Sequence, residues 1–323
     1  MNLRGVTIAL LFSCAGPALA QELRLSSPID CDLEKDCYIQ QFVDRDPGPG
    51  ATDYTCSTLS YDGHKGTDFA LRDIAQMERN IKVVASASGI VRGLRDGMPD
   101  IGYSDAVAAN VEGRECGNGL VIDHGDGWET QYCHLKQGSL TVTRGEQVAT
   151  GDVLGEVGQS GKAAFPHVHL SVRKDGEVID PFDPLGALAC ATPNENTLWE
   201  TPPPYRPGGI LAVGFSDQIP EYDAIKAGVA SRNDLPVDAP ALVVYGFLFG
   251  TQAGDELSLD LAGPNGTIIE DIIALDRTQA QSFRAIGRRL QGASWPKGNY
   301  TGSATLMRAG KQIDQQSAAL TIR

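Results

Sequence analysis

The stretch GNGLVIDHGDGWETQYCHL, residues 117–135, reads as a β-hairpin. Apolar residues alternate in GLVI, Gly125-Asp126-Gly127 marks a turn, and WETQYC resumes a strand. Cys116 and Cys133 stand on either side of that turn, so cross-strand pairing in the hairpin puts their β-carbons within bonding reach. The neighbouring sequence repeats the theme. IKVVASASGIVRG and VTRGEQVATGDVLGEVG are short alternating strings broken by Gly turns. Antiparallel strands are the expectation for residues 21 to about 190. The best helix candidate there is RDIAQMERNI (72–81), which also fits a loop with one turn.

The chain has 323 residues and a formal net charge of −14, with 27 Lys and Arg against 41 Asp and Glu. That balance disfavours nucleic acid and anionic membranes, because binding phosphate requires clustered cations. Residues 1–20 read as a secretory signal: Arg4, a short apolar core VTIALLF, and Pro17-Ala18-Leu19-Ala20 before Gln21. The apolar run is too short to span a bilayer, and no later run is long enough. Beyond residue 20 stand Cys31, Cys37, Cys56, Cys116, Cys133 and Cys190. An even number in an exported chain predicts three disulfides in an oxidising compartment, periplasmic or extracellular. No CxxC pair argues for thiolate ligation of a metal. Besides Cys116–Cys133, four cysteines remain, whose pairing the sequence leaves open.

Composition shifts at residues 193–209, PNENTLWETPPPYRPGG, where Pro202, Pro203 and Pro204 predict a stiff, extended linker. From 210 to 323, strand-like runs such as ALVVYGFLFG and DELSLDLAG recur between turns. Their spacing predicts an immunoglobulin-like β-sandwich. No histidine and no cysteine falls in it.

Four of the chain's five histidines fall in three strings: GHKGTDFA (His64, Asp68), YCHL (His134) and PHVHLSV (His167, His169). On a strand, positions 64, 66 and 68 share one face, and Gly66 leaves space for an ion between two ligands. His167 and His169 also share a strand face, since Val168, Leu170 and Val172 alternate with them. Taken singly, each string also fits an ordinary hydrogen-bonded histidine. His124, at the hairpin turn, fits that account and is left out of the site.

Together the strings resemble the lysostaphin-type zinc endopeptidases, which cut peptide bonds in bacterial peptidoglycan. The resemblance spans about residues 60–185 and includes HxGxD at His64–Asp68, the 117–135 hairpin, VTRGEQVATGDVLGEVGQSG and PHVHLSVRKDGEVIDP. It implies that His64, Asp68 and His169 bind Zn2+, with His134 and His167 as the catalytic pair. Together with the strand patterns above, the expectation is an all-β chain: an antiparallel catalytic domain over 21–192, followed after the linker by the sandwich. No HExxH occurs, so a thermolysin-like site lacks its residues. The expected function is an exported zinc endopeptidase acting on stem peptides or cross-links. The alternative is a wall-binding or regulatory protein that keeps its metal site, with the C-terminal region engaging a protein partner. Two segments depart from the family pattern, 95–115 and the three-cysteine stretch 31–56, and both are placed to border the cleft.

Overall fold

The computed structural model describes residues 23–186, 190, 192 and 195–323. The signal-like segment 1–20 lies outside the described residues. The first half of the chain supplies β1 (Cys37–Gln41), β2 (Thr67–Leu71), β3 (Lys82–Val84), β4 (Gly89–Arg95), β5 (Asn118–Gly125), β6 (Trp128–Leu135), β7 (Gln147–Val148), β8 (Val153–Glu156), β9 (His167–Lys174) and β10 (Glu177–Ile179). One sheet runs in the order β1-β2-β9-β6-β5-β4-β7, with β10 added beside β9, and β3 pairs with β8 in a small second sheet. Every one of these pairings is antiparallel. The hairpin of 117–135 is β5 and β6, with Asp123 opposite Glu129.

Alternation along β9 divides the sheet into two chemistries. Val168, Leu170 and Val172 are buried and join Phe69, Leu71, Leu120, Ile122 and Tyr132 in the core. Each such side chain contributes about 1.5–3 kcal/mol by leaving water. A one-residue slip of β9 would expose all three, so the core locks the register that holds the opposite face in place. That opposite face carries His167 and His169. Helices are single turns here: α1 (Ile74–Met77), inside the predicted 72–81 stretch, and α2 (Ala108–Val111). Asp73 caps α1 by accepting the Gln76 amide at 2.7 Å. Among the described residues, no helix is long and apolar enough to cross a membrane.

Three disulfides close the first unit: Cys31–Cys37, Cys56–Cys190 and Cys116–Cys133. The last is the cross-hairpin pair read from the sequence.

The second half forms β11 (Gly209–Ser216), a one-turn α3 (Tyr222–Lys226), β12 (Asp234–Leu235), β13 (Ala241–Thr251), β14 (Glu256–Gly263), β15 (Gly266–Ala274), β16 (Gln279–Arg289), β17 (Gly298–Arg308) and β18 (Lys311–Ile322). They make a three-stranded sheet, β11-β13-β16, and a five-stranded sheet, β12-β18-β17-β14-β15. Leu242, Val244 and Leu248 of β13 meet Leu257, Leu259, Leu306 and Leu320 in one core between the sheets. The other face of β13 is buried too. Tyr245, Phe247 and Phe249 pack with Tyr38 and Ala70 of the first unit. The rings of Tyr38 and Phe249 lie 4.5 Å apart. Burial on both faces is why ALVVYGFLFG reads as an unbroken apolar run. The segment bearing Pro202–Pro204 lies against the first core, with Trp199 buried and the Tyr205 hydroxyl donating to Asp53 at 2.8 Å.

Asp180, just after β10, is buried. Its Oδ1 accepts the Phe182 amide at 2.9 Å, and its Oδ2 has no partner among the described residues. Burial pushes this carboxyl from 3.8 up to about 7. The folded chain therefore holds a proton that the unfolded chain releases near pH 4. Stability falls as pH rises through this window toward 7. Asp180→Asn keeps the acceptor and removes the ionisation. Its melting temperature should drop less between pH 5 and pH 8 than that of the parent. Equal drops would show that Asp180 does not titrate in this way.

Candidate metal centre

His64 sits in the loop before β2, not on a strand with Asp68. Its Nδ1 donates to the Phe42 carbonyl at 2.7 Å. Asp68 follows on β2, directly opposite His169 of β9, while Ala70 stands opposite His167. Side chains paired in this way share one face of the sheet. The structure thus brings His64, Asp68 and His169 together: one ligand atom from each lies within 4.8 Å of the others. His64 Nε2 is 3.2 Å from Asp68 Oδ1 and 3.1 Å from His169 Nδ1, and His169 Nδ1 is 2.8 Å from Asp68 Oδ1.

His134 reaches the same place by a different route. Tyr132 and Leu135 both face the core, and simple alternation would send His134 there with Tyr132. Instead His134 has φ of 66°, in the left-handed region. That conformation costs a residue with a Cβ about 1 kcal/mol or more, and such outliers cluster at functional sites. It turns the imidazole to within 4.6 Å of the His167 ring, centroid to centroid. His124 stays outside, held between the Ser88 carbonyl (2.7 Å) and the Thr130 hydroxyl (2.8 Å).

The outer nitrogens decide what the inner ones can do. His64 gives its Nδ1 proton to Phe42, so its neutral form leaves Nε2 bare. Ser171 Oγ donates to the Lys65 carbonyl at 2.7 Å and accepts from His169 Nε2 at 3.0 Å. His169 therefore presents a bare Nδ1. Two nitrogen lone pairs and a carboxylate oxygen converge with no proton between them. That arrangement is repulsive unless a cation sits at its centre. Ligands on a tetrahedral zinc with bonds of about 2.0–2.1 Å stand roughly 3.3 Å apart. The separations of 2.8–3.2 Å are close to that, and an N2O donor set suits zinc. The residues fit a divalent ion.

Electrostatics agree. Burial pushes the Asp68 carboxyl up, but the imidazoles of His64, His167 and His169 around it outweigh burial and leave the group well below 3.8. Burial pulls His64 down, yet Asp68 beside it wins and raises the imidazole above 6.5. Burial, then the neighbouring His167 and His169, hold His134 well below 6.5. Burial also lowers His167, against the pull of Asp68. Both therefore stay neutral near pH 7. His134 Nδ1 donates to the Ser160 carbonyl (2.8 Å) and His167 Nδ1 to the Phe165 carbonyl (2.9 Å), which leaves each Nε2 bare.

Residues 62–181 match the sequence model of peptidase family M23. That segment is an M23 domain. The DD-carboxypeptidase/endopeptidase Mpg of Neisseria meningitidis serogroup B is 33% identical to this chain over 108 residues, 33% of this chain and 23% of Mpg. The peptidoglycan DD-endopeptidase ShyA of Vibrio cholerae is 27% identical over 132 residues, 41% of this chain and 25% of ShyA. The chain thus spans about a quarter of the length of these two relatives. Among solved structures, the catalytic domain of lysostaphin from Staphylococcus simulans is 23% identical, with a TM-score of 0.27, covering 37% of this chain and 76% of that one.

Two features of the M23 domain escaped the sequence. Gly66 does not leave room for an ion. A Cβ there would stand 2.5 Å from His169 Nε2 and 2.6 Å from the Leu170 carbonyl, so the glycine lets the imidazole lie against the backbone. Ser171 was missed as the support of His169. Its position two residues on, on the same strand face, was the available signal. Partners of this kind typically carry 10–100-fold in metal affinity. Ser171→Ala should keep the fold and weaken zinc binding by about that factor, measured by competition with a chromophoric chelator. Unchanged affinity would mean that the bare Nδ1 does not depend on Ser171.

Proposed function

We propose that the chain is an exported zinc endopeptidase that hydrolyses peptide bonds in peptidoglycan stem peptides or cross-links. The observation that carries this reading is the convergence of three proton-free donor atoms beside two neutral imidazoles. His64, Asp68 and His169 would hold the ion, and three protein ligands leave a coordination position open. Bound zinc supplies an acidified water near neutral pH and polarises a carbonyl.

The protein's own side chains do the rest. His134 and His167, neutral and with Nε2 bare, flank the ion site. Either can accept a proton at Nε2. The imidazole that takes it becomes a donor to the developing oxyanion or to the departing amine. Phe165, stacked on the His167 ring at 4.5 Å, and Tyr61, 4.5 Å from the His64 ring, restrict water around the site. Three disulfides fit an oxidising compartment outside the cytoplasm. In this reading the C-terminal unit is an immunoglobulin-like sandwich that positions substrate or a partner.

Zymography on purified peptidoglycan tests the proposal. Clearing should appear, vanish with chelator and return with zinc. His169→Ala should lose both metal and clearing. His134→Ala should keep the metal and slow turnover about a hundredfold or more, the usual scale for a lost acid–base group. Metal binding without clearing on any wall type would favour the wall-binding or regulatory alternative.

A further inference from the structure

A cavity of about 350 Å³ lies between the M23 domain and the C-terminal unit. Phe165 and Pro166 of the first unit and Phe247 and Gln281 of the second line it. Phe165 is the residue stacked on His167, so the cavity adjoins the catalytic pair. Its walls are fixed. Gln281 Nε2 donates to the Tyr38 hydroxyl at 2.8 Å, and the Ala75 amide donates to the Ala227 carbonyl at 3.2 Å.

The charges lining this cavity are unequal in their commitments. Asp73 caps α1. Asp100 accepts the Gln159 amide on Oδ1 and the Gln137 amide on Oδ2, both at 2.8 Å. Asp223 pairs with Lys226 at 2.9 Å. Arg72 is half-buried, and its guanidinium makes no hydrogen bond or ion pair among the described residues. Arg72 follows directly on the last residue of β2, four residues after Asp68, so the chain carries it at most about 13 Å from that carboxylate. An extended peptide with its scissile bond at the metal centre would present a group two to four residues away to this guanidinium.

We propose that this cavity is a substrate subsite in which Arg72 receives a carboxylate borne by the peptide, with the C-terminal unit supplying its far wall. The identity of the ligand as a wall peptide rests on the peptidase reading above; the carboxylate chemistry rests on Arg72. A guanidinium offers paired N–H donors in a fork that matches a carboxylate. The chain's acidic charge does not recruit such a ligand. Direct contact does, since the three lining carboxylates are engaged by backbone amides or by Lys226 while the Arg72 guanidinium is not. Phe165, Pro166 and Phe247 leave apolar surface for a small aliphatic side chain beside the carboxylate.

The test uses the full chain, stripped of metal so that peptide survives. It is titrated with a synthetic stem tetrapeptide and with versions amidated at one carboxylate at a time. One amidation should weaken binding to the parent protein tenfold or more. Arg72→Ala should bind acid and amide alike, with an unchanged melting temperature. Arg72→Lys, which keeps charge without the fork, should fall between, and it serves if the alanine variant does not fold. The proposal is overturned if no peptide binds, if no amidation matters to the parent, or if Arg72→Ala still discriminates. Discrimination in binding by a protein that, zinc-loaded, clears no wall would leave the subsite standing and remove the peptidase reading.

Discussion

A carboxylate buried against three imidazoles is the constraint around which this molecule is arranged. Asp68 is 3% exposed and touches His64, His167 and His169. Taking an ion out of water costs several kcal/mol, and the cost is recovered only if the surrounding groups are held in good geometry. Each ring is held through its far nitrogen: His64 by Phe42, His169 by Ser171, His167 by Phe165 and His134 by Ser160. These anchors come from loops and strands far apart in the chain. The site is therefore a product of the whole first unit, not of one motif.

The sheet supplies the precision. Asp68 and His169 face each other because β2 and β9 pair in one register, and that register is enforced from the opposite face by Val168, Leu170 and Phe69. The C-terminal unit leans on the same framework. Its β13 packs Phe249 on Tyr38, which stands opposite Ala70 in the β1–β2 pair. Ala70 in turn stands opposite His167. The inter-unit contact and the metal centre thus share neighbouring positions of one sheet face. The 95–115 segment borders the cavity at Asp100–Ser104.

Much of this was legible in residue order. The hairpin, its disulfide, the alternation around His167 and His169 and the family of residues 62–181 all follow from local pattern. What was not legible depended on three-dimensional partners. The family resemblance puts His134 in the site, but alternation alone would hide it in the core, and the left-handed backbone that turns it outward has no local signal. Gly66 was read as an opening, when it is a point of contact with His169. The Phe42 and Ser160 carbonyls carry no side-chain signature at all. The doubly buried β13 shows as an apolar run, but the sequence does not say that its second face meets Tyr38. Arg72 is unremarkable until the acids near it are seen to be engaged elsewhere.

X-ray absorption spectroscopy of the zinc-loaded full chain tests the central claim most directly. One zinc per chain should show only nitrogen and oxygen neighbours at about 2.0–2.1 Å, with multiple-scattering features of two imidazoles. Sulfur at about 2.3 Å, four protein ligands with no solvent, or no stoichiometric uptake would contradict it.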